Sequence, residues 1–566
     1  MPEDQESKDQ LRGAAPEKAA PAKASTRKER KKRLRRWPLV VAGSGTALLA
    51  LAVVAAGSAL PGADATARIT ANAQVLPVGV SLANCAGPTQ LLSGSAAGAD
   101  PEFSANSSST KSSLSAMVLS NGDGVLPGTS VGRLDEKAEP LFTLAKAPAA
   151  SADAGASPSA PATLAPVTGV AKEKAAVEAN KDVDGISVLR ALPLDGQNSR
   201  SAGAVVVDAS DGDLKGLAAA TCQLPANDLW LTGASTVVGR TAVLTLSNSS
   251  SSPSTASLEF YGASGPIQAP GGKGLVVAPG TSRSVVLSGL APDQKLLSVH
   301  VKSTGGAISA VIQQSVLRGL TPGGVDYLAP VQAPATSQTI PGVRVQDPET
   351  AGKISAQSGY DDAATALQVT VPGVTDAVVE VKAYGPSGQV ALPNGGVFTA
   401  LAGKVNELLL SGLPQGTYSL SVRADYAVTA AARLVNSTKP GDAVDMALAP
   451  STPRLGVNHL VTLPSLADSS LVFSAPSGSA TVTLVPVSAA GVLGAAKTVE
   501  LKPGITNVVD PGTLLGSGTA AVLVSAAGDP VFGTQLLGTK DSANIAVLPF
   551  AGTAKDSPSL NIVTGY

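Results

Sequence analysis

The feature that most restricts the fold of this chain is a long internal repeat built from short segments. One copy begins at Leu258 as LEFYGASGP, continues as VVLSGL and LLSVHVKSTGGAISAVIQQS, and ends in DYLAP. A second begins at Val379 as VEVKAYGPSG and ends in DMALAP, and a third begins at Val482 as VTLVPVSAAG and ends in IAVLP. The spacing of about 100–125 residues is the size of an immunoglobulin-like sandwich, not of one solenoid turn.

Apolar and polar residues alternate along the segments of each copy, as in Thr241–Leu246, Leu297–Val301 and Ser419–Val422. A period of two is typical of half-buried strands, and Gly, Pro, Asn and Asp residues bound the segments as turns would. Apart from one apolar run near the N-terminus, no segment has the pattern of an amphipathic helix. The sequence therefore predicts an all-β chain of tandem immunoglobulin-like β-sandwich repeats, about four in a row.

The first of these repeats is interrupted. Ala204–Cys222 matches Ala521–Thr539 in pattern and turn placement, and the earlier strands of this copy are expected within Ile69–Leu134. The stretch between them, 136–184, is rich in Ala, Ser and Pro and has no periodicity. Such a composition cannot bury a face, so we expect a disordered insertion there, with at most a short helical turn at Lys172–Asn180.

The only two cysteines, Cys85 and Cys222, lie near the first and last predicted strands of this interrupted repeat. An even number of cysteines in an oxidising compartment favours one disulfide. The bond would close a loop of roughly 140 residues and stabilise the repeat by about 5 kcal/mol in the chain-entropy model. A thiol nucleophile or a metal-binding pair is the alternative.

One uncharged apolar run, Trp37–Leu60, is long enough to cross a bilayer, which takes about 20 helical residues. A basic run, Arg27–Arg36, precedes it. Residues 1–36 carry a net charge of +6 and the whole chain −1, so the remainder carries −7. Because Lys and Arg are retained in the cytoplasm, we expect a single-pass plasma-membrane protein with a cytoplasmic N-terminus and an extracytoplasmic C-terminal ectodomain. Secretion after signal cleavage near Ala65 or Ala67 is the alternative.

The resulting division of the chain has six parts. They are a disordered basic tail (1–36), a transmembrane helix (37–60), a first sandwich with the insertion 136–184 (61–229), and three further sandwiches (230–340, 341–454 and 455–566).

Motifs for catalysis are weak. Gly128–Gly132 fits G-x-S-x-G with Ser130 as nucleophile, but no helix is predicted after it, so a turn between strands explains the match. Ser108–Lys111 fits S-x-x-K without the K-T-G that would accompany it. His300 and His459 fall in different repeats, and we expect neither to have an acidic partner nearby. We expect no catalytic residue and no cofactor.

Ligand motifs are equally weak. Asp208–Asp213 offers oxygen ligands for calcium, but a hairpin turn at Asp211-Gly212 explains it, since an EF-type loop needs Gly at position six and Glu at twelve. Gly271–Gly274 lacks the spacing of a phosphate loop. Trp230 is the only Trp outside the apolar run, and we expect it to pack against the disulfide. An acidic ectodomain argues against nucleic acid as a partner.

Several of these segments together resemble an uncharacterised actinobacterial family of membrane-anchored extracytoplasmic proteins. The resemblance rests on Cys222–Pro225, Asp228–Gly233, Val238–Arg240, Leu258–Gly265 and Gly274–Gly280. Relatives often have Gly where this chain has Ala234. The resemblance implies location and architecture but no activity, and some relatives occur near envelope-glycan genes.

The expected function is that of a structural, scaffolding or protein-interaction ectodomain in the bacterial cell envelope, and not that of an enzyme. Its partners would be the plasma membrane, through Trp37–Leu60, and other envelope proteins, bound for example by strand addition at a sandwich edge. A cell-wall glycan-binding module is the alternative, and a hydrolase is a third reading.

Overall fold

The structure is a computed structural model that describes residues 72–75, 78–91, 109–135, 139–148, 172–540, 542–552 and 559–562. Nearly all of them belong to one compact body, Ala73–Leu560. The predicted tail and membrane helix, residues 1–60, lie outside the described residues. Within the described ranges, no helix is both long and apolar enough to cross a membrane.

The described chain is almost entirely antiparallel β-structure, so the all-β prediction is confirmed. Its strands fall into four consecutive groups, which we call modules. The first module follows β1 (Asn72–Val75) and contains β2 (Ser81–Cys85), β3 (Lys111–Leu119), β4 (Thr129–Arg133), β5 (Phe142–Ala145), β6 (Ala175–Asp182), β7 (Ser187–Ala191), β8 (Ser201–Ala209) and β9 (Gly216–Thr221).

The second module contains β10 (Asp228–Ala234), β11 (Arg240–Asn248), β12 (Ser254–Gly262), β13 (Gly265–Ile267), β14 (Leu275–Val277), β15 (Thr281–Val286), β16 (Leu297–Gly305), β17 (Ser309–Arg318) and β18 (Thr321–Leu328). Short 3₁₀ helices occupy Pro270–Gly272 and Leu287–Gly289.

The third module contains β19 (Ala335–Val345), β20 (Ala366–Thr370), β21 (Ala377–Gly385), β22 (Gly388–Val390), β23 (Val397–Ala400), β24 (Val405–Leu409), β25 (Gly416–Ser437) and β26 (Val444–Pro450). Helix α1 (Pro348–Ser355) follows β19, and a 3₁₀ helix covers Pro393–Gly396. The side chain of Asp347 caps α1 by accepting a hydrogen bond from the N–H of Thr350.

The fourth module contains β27 (His459–Thr462), β28 (Asp468–Ser474), β29 (Ala480–Ser488), β30 (Lys497–Leu501), β31 (Thr506–Val509), α2 (Pro511–Leu515), β32 (Thr519–Gly528), β33 (Phe532–Gly538) and β34 (Ile545–Pro549). A last strand, β35 (Ser559–Ile562), pairs with β1.

All four modules have the same strand order. We number the strands of each module from 1 to 8 in chain order. In the first sheet of a module the strands lie side by side in the order 1-6-3-4, and in the second sheet they lie in the order 5-2-7-8. In the second and third modules two short strands share position four, and in the third the 22-residue strand β25 serves as both six and seven. Both sheets of a module contribute to its core. Leu231, Phe260 and Val299 of the first sheet, for example, share one cluster with Leu246 and Ile312 of the second.

The eighth strands of the modules, β9, β18, β26 and β34, meet at one buried carboxylate. Asp445 in β26 accepts a main-chain hydrogen bond from each of these four strands. The donors are Leu217 in β9 (3.0 Å), Val325 in β18 (3.3 Å), Met446 in β26 (2.9 Å) and Ile545 in β34 (3.1 Å). Because each strand belongs to a different module, this one side chain ties all four modules together.

Two glycines make this close approach possible. A Cβ atom on Gly216 would lie 2.5 Å from Oδ1 of Asp445, and one on Gly324 would lie 2.6 Å from the same atom. Both glycines also have positive φ angles, 149° and 106°, which other residues rarely adopt. Any larger residue would push β9 or β18 away from the carboxylate.

The fourth module also packs directly on the first. Met117 and Leu119 of β3 share a core cluster with Leu460 of β27 and Leu523 of β32. The modules therefore close into a ring. An arrangement in a row, as expected from the sequence, would keep the first and last modules apart.

The predicted insertion is too wide. Phe142–Ala145 is strand β5 and Ala175–Asp182 is strand β6, both inside the range 136–184, whereas residues 149–171 lie outside the described residues. The helical turn expected near Lys172–Asn180 is wrong as well. Pairing of β6 with β3 decides its conformation, because β-structure depends on partners more than on intrinsic propensity.

Two predicted boundaries also fall inside strands. The division between 229 and 230 cuts β10, and the division between 340 and 341 cuts β19. In β19 the register shifts between Ile340 and Val343, and Gly342 has a φ of 79°. The Pro-Gly pair at 341–342 is thus a bulge within a strand, not a link between modules.

Candidate functional site

The first sheet of the second module carries a compact polar cluster on its outer face. His300 in β16 lies between two carboxylates from the neighbouring strands. Its Nε2 is 3.0 Å from Oδ1 of Asp228 in β10, and its Nδ1 is 3.1 Å from Oε2 of Glu259 in β12. Lys302 adds a third contact, with its Nζ 3.0 Å from Oε1 of Glu259. The expectation that His300 has no acidic neighbour is wrong, because both partners come from adjacent strands distant in sequence.

Each member of the cluster contacts at least one other member. Carboxylate oxygens only accept, so both contacts to His300 are hydrogen bonds when both ring nitrogens carry a proton. Burial raises the pKa of Glu259, but the hydrogen bonds from Lys302 and His300 outweigh it and leave that pKa lowered. Since both ring nitrogens are engaged, His300 offers no free nitrogen to a substrate or a metal.

Trp230 stacks on this histidine. The two ring centroids are 3.9 Å apart, and the ring centroid of Tyr261 lies 5.5 Å from that of Trp230. Trp230 belongs to the core cluster of the second module, whereas Cys85 and Cys222 belong to that of the first. The expected packing of Trp230 against the disulfide is therefore wrong. Strand pairing sets Trp230 opposite His300 instead.

The other histidine has a structural role. The main-chain N–H of Gly456 donates to Nε2 of His459 over 2.9 Å, and Nδ1 lies 3.3 Å from the carbonyl of Ala551. Burial lowers the pKa of His459, although the contact with Ala551 raises it. The neutral ring thus holds the segment before β27 and the segment after β34 together.

The sequence motifs for catalysis stay apart from one another. Ser130 lies within strand β4, and the described residues that follow it, 134–135 and 139–148, contain no helix. Ser108 lies outside the described residues, and Lys111 begins β3. The glycines at 271–274 lie in and just after a 3₁₀ helix.

The acidic segment 208–213 forms the end of β8 and a turn, with Gly212 at a φ of 72°. Asp208 accepts a hydrogen bond of 3.0 Å from Asn544 of the fourth module. Burial raises the pKa of Asp208, which the bond from Asn544 partly offsets. Within the described ranges, no group of three or more His, Cys, Asp or Glu side chains is placed to hold a metal ion.

The two cysteines form a disulfide. Cys85 ends β2, Cys222 follows β9, and the bond spans 137 residues of chain. The pairing is the one that the sequence favoured. The bond joins the first strand of the first module to its last, next to the boundary with the second module.

Clefts lie at successive boundaries between modules. A cavity of about 300 Å³ lies between the first and second modules, another of about 300 Å³ between the second and third, and one of about 620 Å³ between the third and fourth. Each is walled by the second sheet of the later module. We call them the first, second and third clefts.

The second cleft is bordered by a buried ionic cluster. Asp362 of the third module binds Arg240 of the second through two hydrogen bonds of 2.9 and 2.8 Å. Arg318 of the second module donates to the same carboxylate over 2.5 Å and lies 4.6 Å from the ring centroid of Tyr360. Burial raises the pKa of Asp362, but the two arginines outweigh it and lower that pKa to about 2. These pairs lock the second module to the third.

An apolar patch marks the outer edge of the third module. Val378 in β21 and Val397 in β23 are exposed to 53 % and 55 %, and they lie on the same face of adjoining strands. Val374 before β21 (99 %) and Leu401 after β23 (42 %) extend the apolar stretch along both strands. In the described chain β23 pairs only with β21, so its other edge is open. Sequence alternation alone cannot reveal this patch, because it does not say which of the two faces is covered.

Comparison with known proteins gives one family and no function. No curated protein matches the chain. A pilus adhesin, SpaC from Lactobacillus rhamnosus GG, aligns over 78 % of this chain and 55 % of its own length, at 9 % identity and a TM-score of 0.08. The chain thus spans about half the length of that adhesin, and a likeness this low carries no argument about fold. A family model described as a family of unknown function, DUF5719, matches residues 177–512. The resemblance to an uncharacterised family is thereby confirmed, and the chain belongs to DUF5719.

Proposed function

We propose that this protein is a membrane-anchored extracytoplasmic scaffold that binds another protein of the bacterial cell envelope. In this proposal the modules are immunoglobulin-like sandwiches, the anchor is Trp37–Leu60, and the ring stands outside the plasma membrane. The observation that carries the proposal is the apolar patch around Val378 and Val397, on an edge strand with an open side. Apolar patches rimmed by polar residues mark interaction sites, and Glu380 and Lys382 flank this one.

Strand addition is the binding mode that this geometry favours. A partner strand along β23 would pair with its free main-chain groups and cover Val397 at the same time. The neighbouring modules are fixed by Asp445 and Asp362, so the edge is held in place before binding. A pre-organised surface loses less conformational entropy when a partner docks.

This role needs no catalysis, and we propose that the protein is not an enzyme. In support, His300 and His459 are both engaged in contacts within the fold. Nucleic acid is not a proposed partner, because the chain beyond residue 36 carries a net charge of −7.

Photo-crosslinking in living cells tests the proposal. A photoreactive residue at Val378 should capture a specific envelope protein, and Val397→Lys should abolish the adduct because docking would have to bury a charged side chain in place of an apolar one. Val492, a valine of the fourth module that is exposed to 64 %, provides the matched control position, and Val492→Lys should change nothing. Equal labelling from both positions, or an adduct that survives Val397→Lys, would refute the proposed surface.

A reporter fused after Tyr566 tests the location. We expect activity only for a reporter that works outside the cytoplasm, because the basic run Arg27–Arg36 holds the N-terminus inside. Mass measurement of the membrane-bound protein should find residues 1–60 retained. A cytoplasmic C-terminus would contradict the whole proposal.

A further inference from the structure

The first cleft differs from the others in its construction. Its floor is the outer face of the second sheet of the second module, with Val243 and Thr245 of β11, Ser284 of β15 and Val311 of β17. Its roof is the segment 86–91 of the first module, which follows β2. A ligand in this cleft would therefore contact two modules at once.

The roof is tethered at both ends. The hydroxyl of Tyr327 donates to the carbonyl of Gly87 over 2.5 Å. The side-chain amide of Gln313 pairs with the main chain of Gln90, accepting from its N–H at 2.9 Å and donating to its carbonyl at 2.8 Å. The disulfide of Cys85 fixes the start of the segment. The cleft is thus built into the fold by long-range contacts.

The lining of this cleft is polar but carries no charge. None of its residues is Asp, Glu, Lys, Arg or His, whereas Arg240, Lys295 and Arg433 line the second cleft and Arg344 and Lys540 the third. Its polar groups are amides and hydroxyls, which both donate and accept hydrogen bonds. They come from Asn84, Gln223, Thr245, Ser247, Ser284 and Ser309, interspersed with aliphatic side chains.

One wall residue has an acceptor without a partner. Asn84 is only 4 % exposed, and its Nδ2 donates to the hydroxyl of Ser309 over 2.9 Å and to the carbonyl of Ser247 over 3.3 Å. Its Oδ1 has no hydrogen-bond partner among the described residues. This oxygen is itself buried, and an unpaired buried acceptor costs stability.

We propose that the first cleft binds an uncharged ligand rich in hydroxyl groups, namely a neutral saccharide. Sugar hydroxyls match a lining that both donates and accepts, while Val243 and Val311 can pack against the C–H face of a sugar ring. An ionic ligand would find no counter-charge here and would lose its hydration without compensation. The volume of about 300 Å³ lies at the lower end for small-ligand sites, which fits a short saccharide. This site is separate from the proposed protein-binding edge of the third module.

Calorimetry on the full-length protein in detergent tests the proposal. The probes are the neutral oligosaccharide fraction released from the cell wall of the native host, the acidic fraction, and an uncharged decapeptide of Ser, Thr, Asn and Gln. We expect saturable binding of the neutral fraction alone. Thr245→Arg should weaken it by about tenfold or more, because a long cation would fill an uncharged cleft.

Two further variants distinguish loss of binding at the cleft from misfolding. Ser284→Arg places the same side chain on the exposed edge strand β15, where misfolding is not expected, and should also weaken binding. Thr255→Arg, at an exposed position of β12 outside the cleft, is the matched control and should bind as the unaltered protein does. No binding of the neutral fraction, binding of only the acidic fraction or the peptide, or equal binding by all three variants would overturn the proposal.

Discussion

The main-chain N–H of Leu217 donates a hydrogen bond of 3.0 Å to Oδ2 of Asp445, which lies 228 residues further along the chain. Oδ2 also accepts from Ile545, so the first, third and fourth modules meet at one oxygen atom. Oδ1 accepts a hydrogen bond from the main-chain N–H of Val325, which belongs to the second module. One carboxylate thus accepts hydrogen bonds from strands of all four modules.

Asp445→Asn should loosen the ring. An amide offers one acceptor oxygen instead of two, so two of the four N–H groups would face an NH₂ group and stay unpaired. Each buried unpaired donor costs about 1–3 kcal/mol, which gives a loss on the order of 3 kcal/mol in the free energy of unfolding. Urea denaturation should show the loss, and the single transition expected for one compact body should broaden or split.

Asp293→Asn provides the control for that variant. Asp293 is exposed and has a φ of 53°, a conformation that Asn also tolerates, so its stability should match that of the unaltered protein. If Asp445→Asn were as stable as Asp293→Asn, the carboxylate would have no role in holding the modules together.

The stability that depends on Asp445 should fall as the pH rises. Burial raises the pKa of this carboxyl from 3.8 to about 7, although the N–H groups of Leu217, Ile545, Met446 and Val325 lower it. Between these values the folded protein binds a proton that the unfolded chain has released, so its contribution is complete below pH 3.8 and is lost as the pH approaches 7. Burial raises the pKa of neighbouring Asp326 as well. Denaturation series from pH 4 to pH 8 should show a steeper decline for the unaltered protein than for Asp445→Asn, and equal slopes would contradict this assignment.

The strands were predictable from the sequence and the ring was not. Alternation in segments such as Thr241–Leu246 reports local burial on one face, which is enough to predict an all-β chain. Asp326 and Asp445 stand in the repeated endings DYLAP and DMALAP, where a charged residue interrupts an apolar segment. That interruption is the one signal of the ring. To predict the ring from these aspartates, one would need to know that the eighth strands of all four modules converge. Only packing between residues distant in sequence determines that convergence.

The candidate sites could not be predicted from the sequence either, because their residues are brought together from strands that are distant in sequence. Asp228 and Glu259 become partners of His300 through strand pairing, which places residues 72 and 41 positions away beside it. The first cleft combines side chains of two modules, so no local motif marks it. The disulfide was accessible to sequence reasoning because two cysteines allow only one pairing within the chain.

Asp362→Asn should weaken the contact between the second and third modules. Arg240 and Arg318 would both lose their counter-charge in a largely buried setting, and breaking such a pair costs about 3–5 kcal/mol. Because the pKa of Asp362 is lowered to about 2, its contribution is present above pH 3.8 and is lost as the pH falls through 2. The adjacent exposed residue gives the control, since Asp361→Asn should leave the free energy of unfolding unchanged. Equal unfolding midpoints for the two variants would argue against an ionic lock.

Reduction of the disulfide should affect both the first module and the first cleft. Thiol labelling without reductant should find no free cysteine in the protein purified under non-reducing conditions, and labelling of both residues would contradict the bond. Cys222→Ser removes a cross-link over 137 residues, which the chain-entropy model values at about 5 kcal/mol.

Because Cys85 fixes the start of the roof segment 86–91, the variant should also expose Gly87 and Gln90 to faster amide hydrogen exchange. Exchange in β28 and β29 should change less, since the core of the fourth module does not include the disulfide. Uniform acceleration across the ring would instead show that the bond acts on the whole assembly.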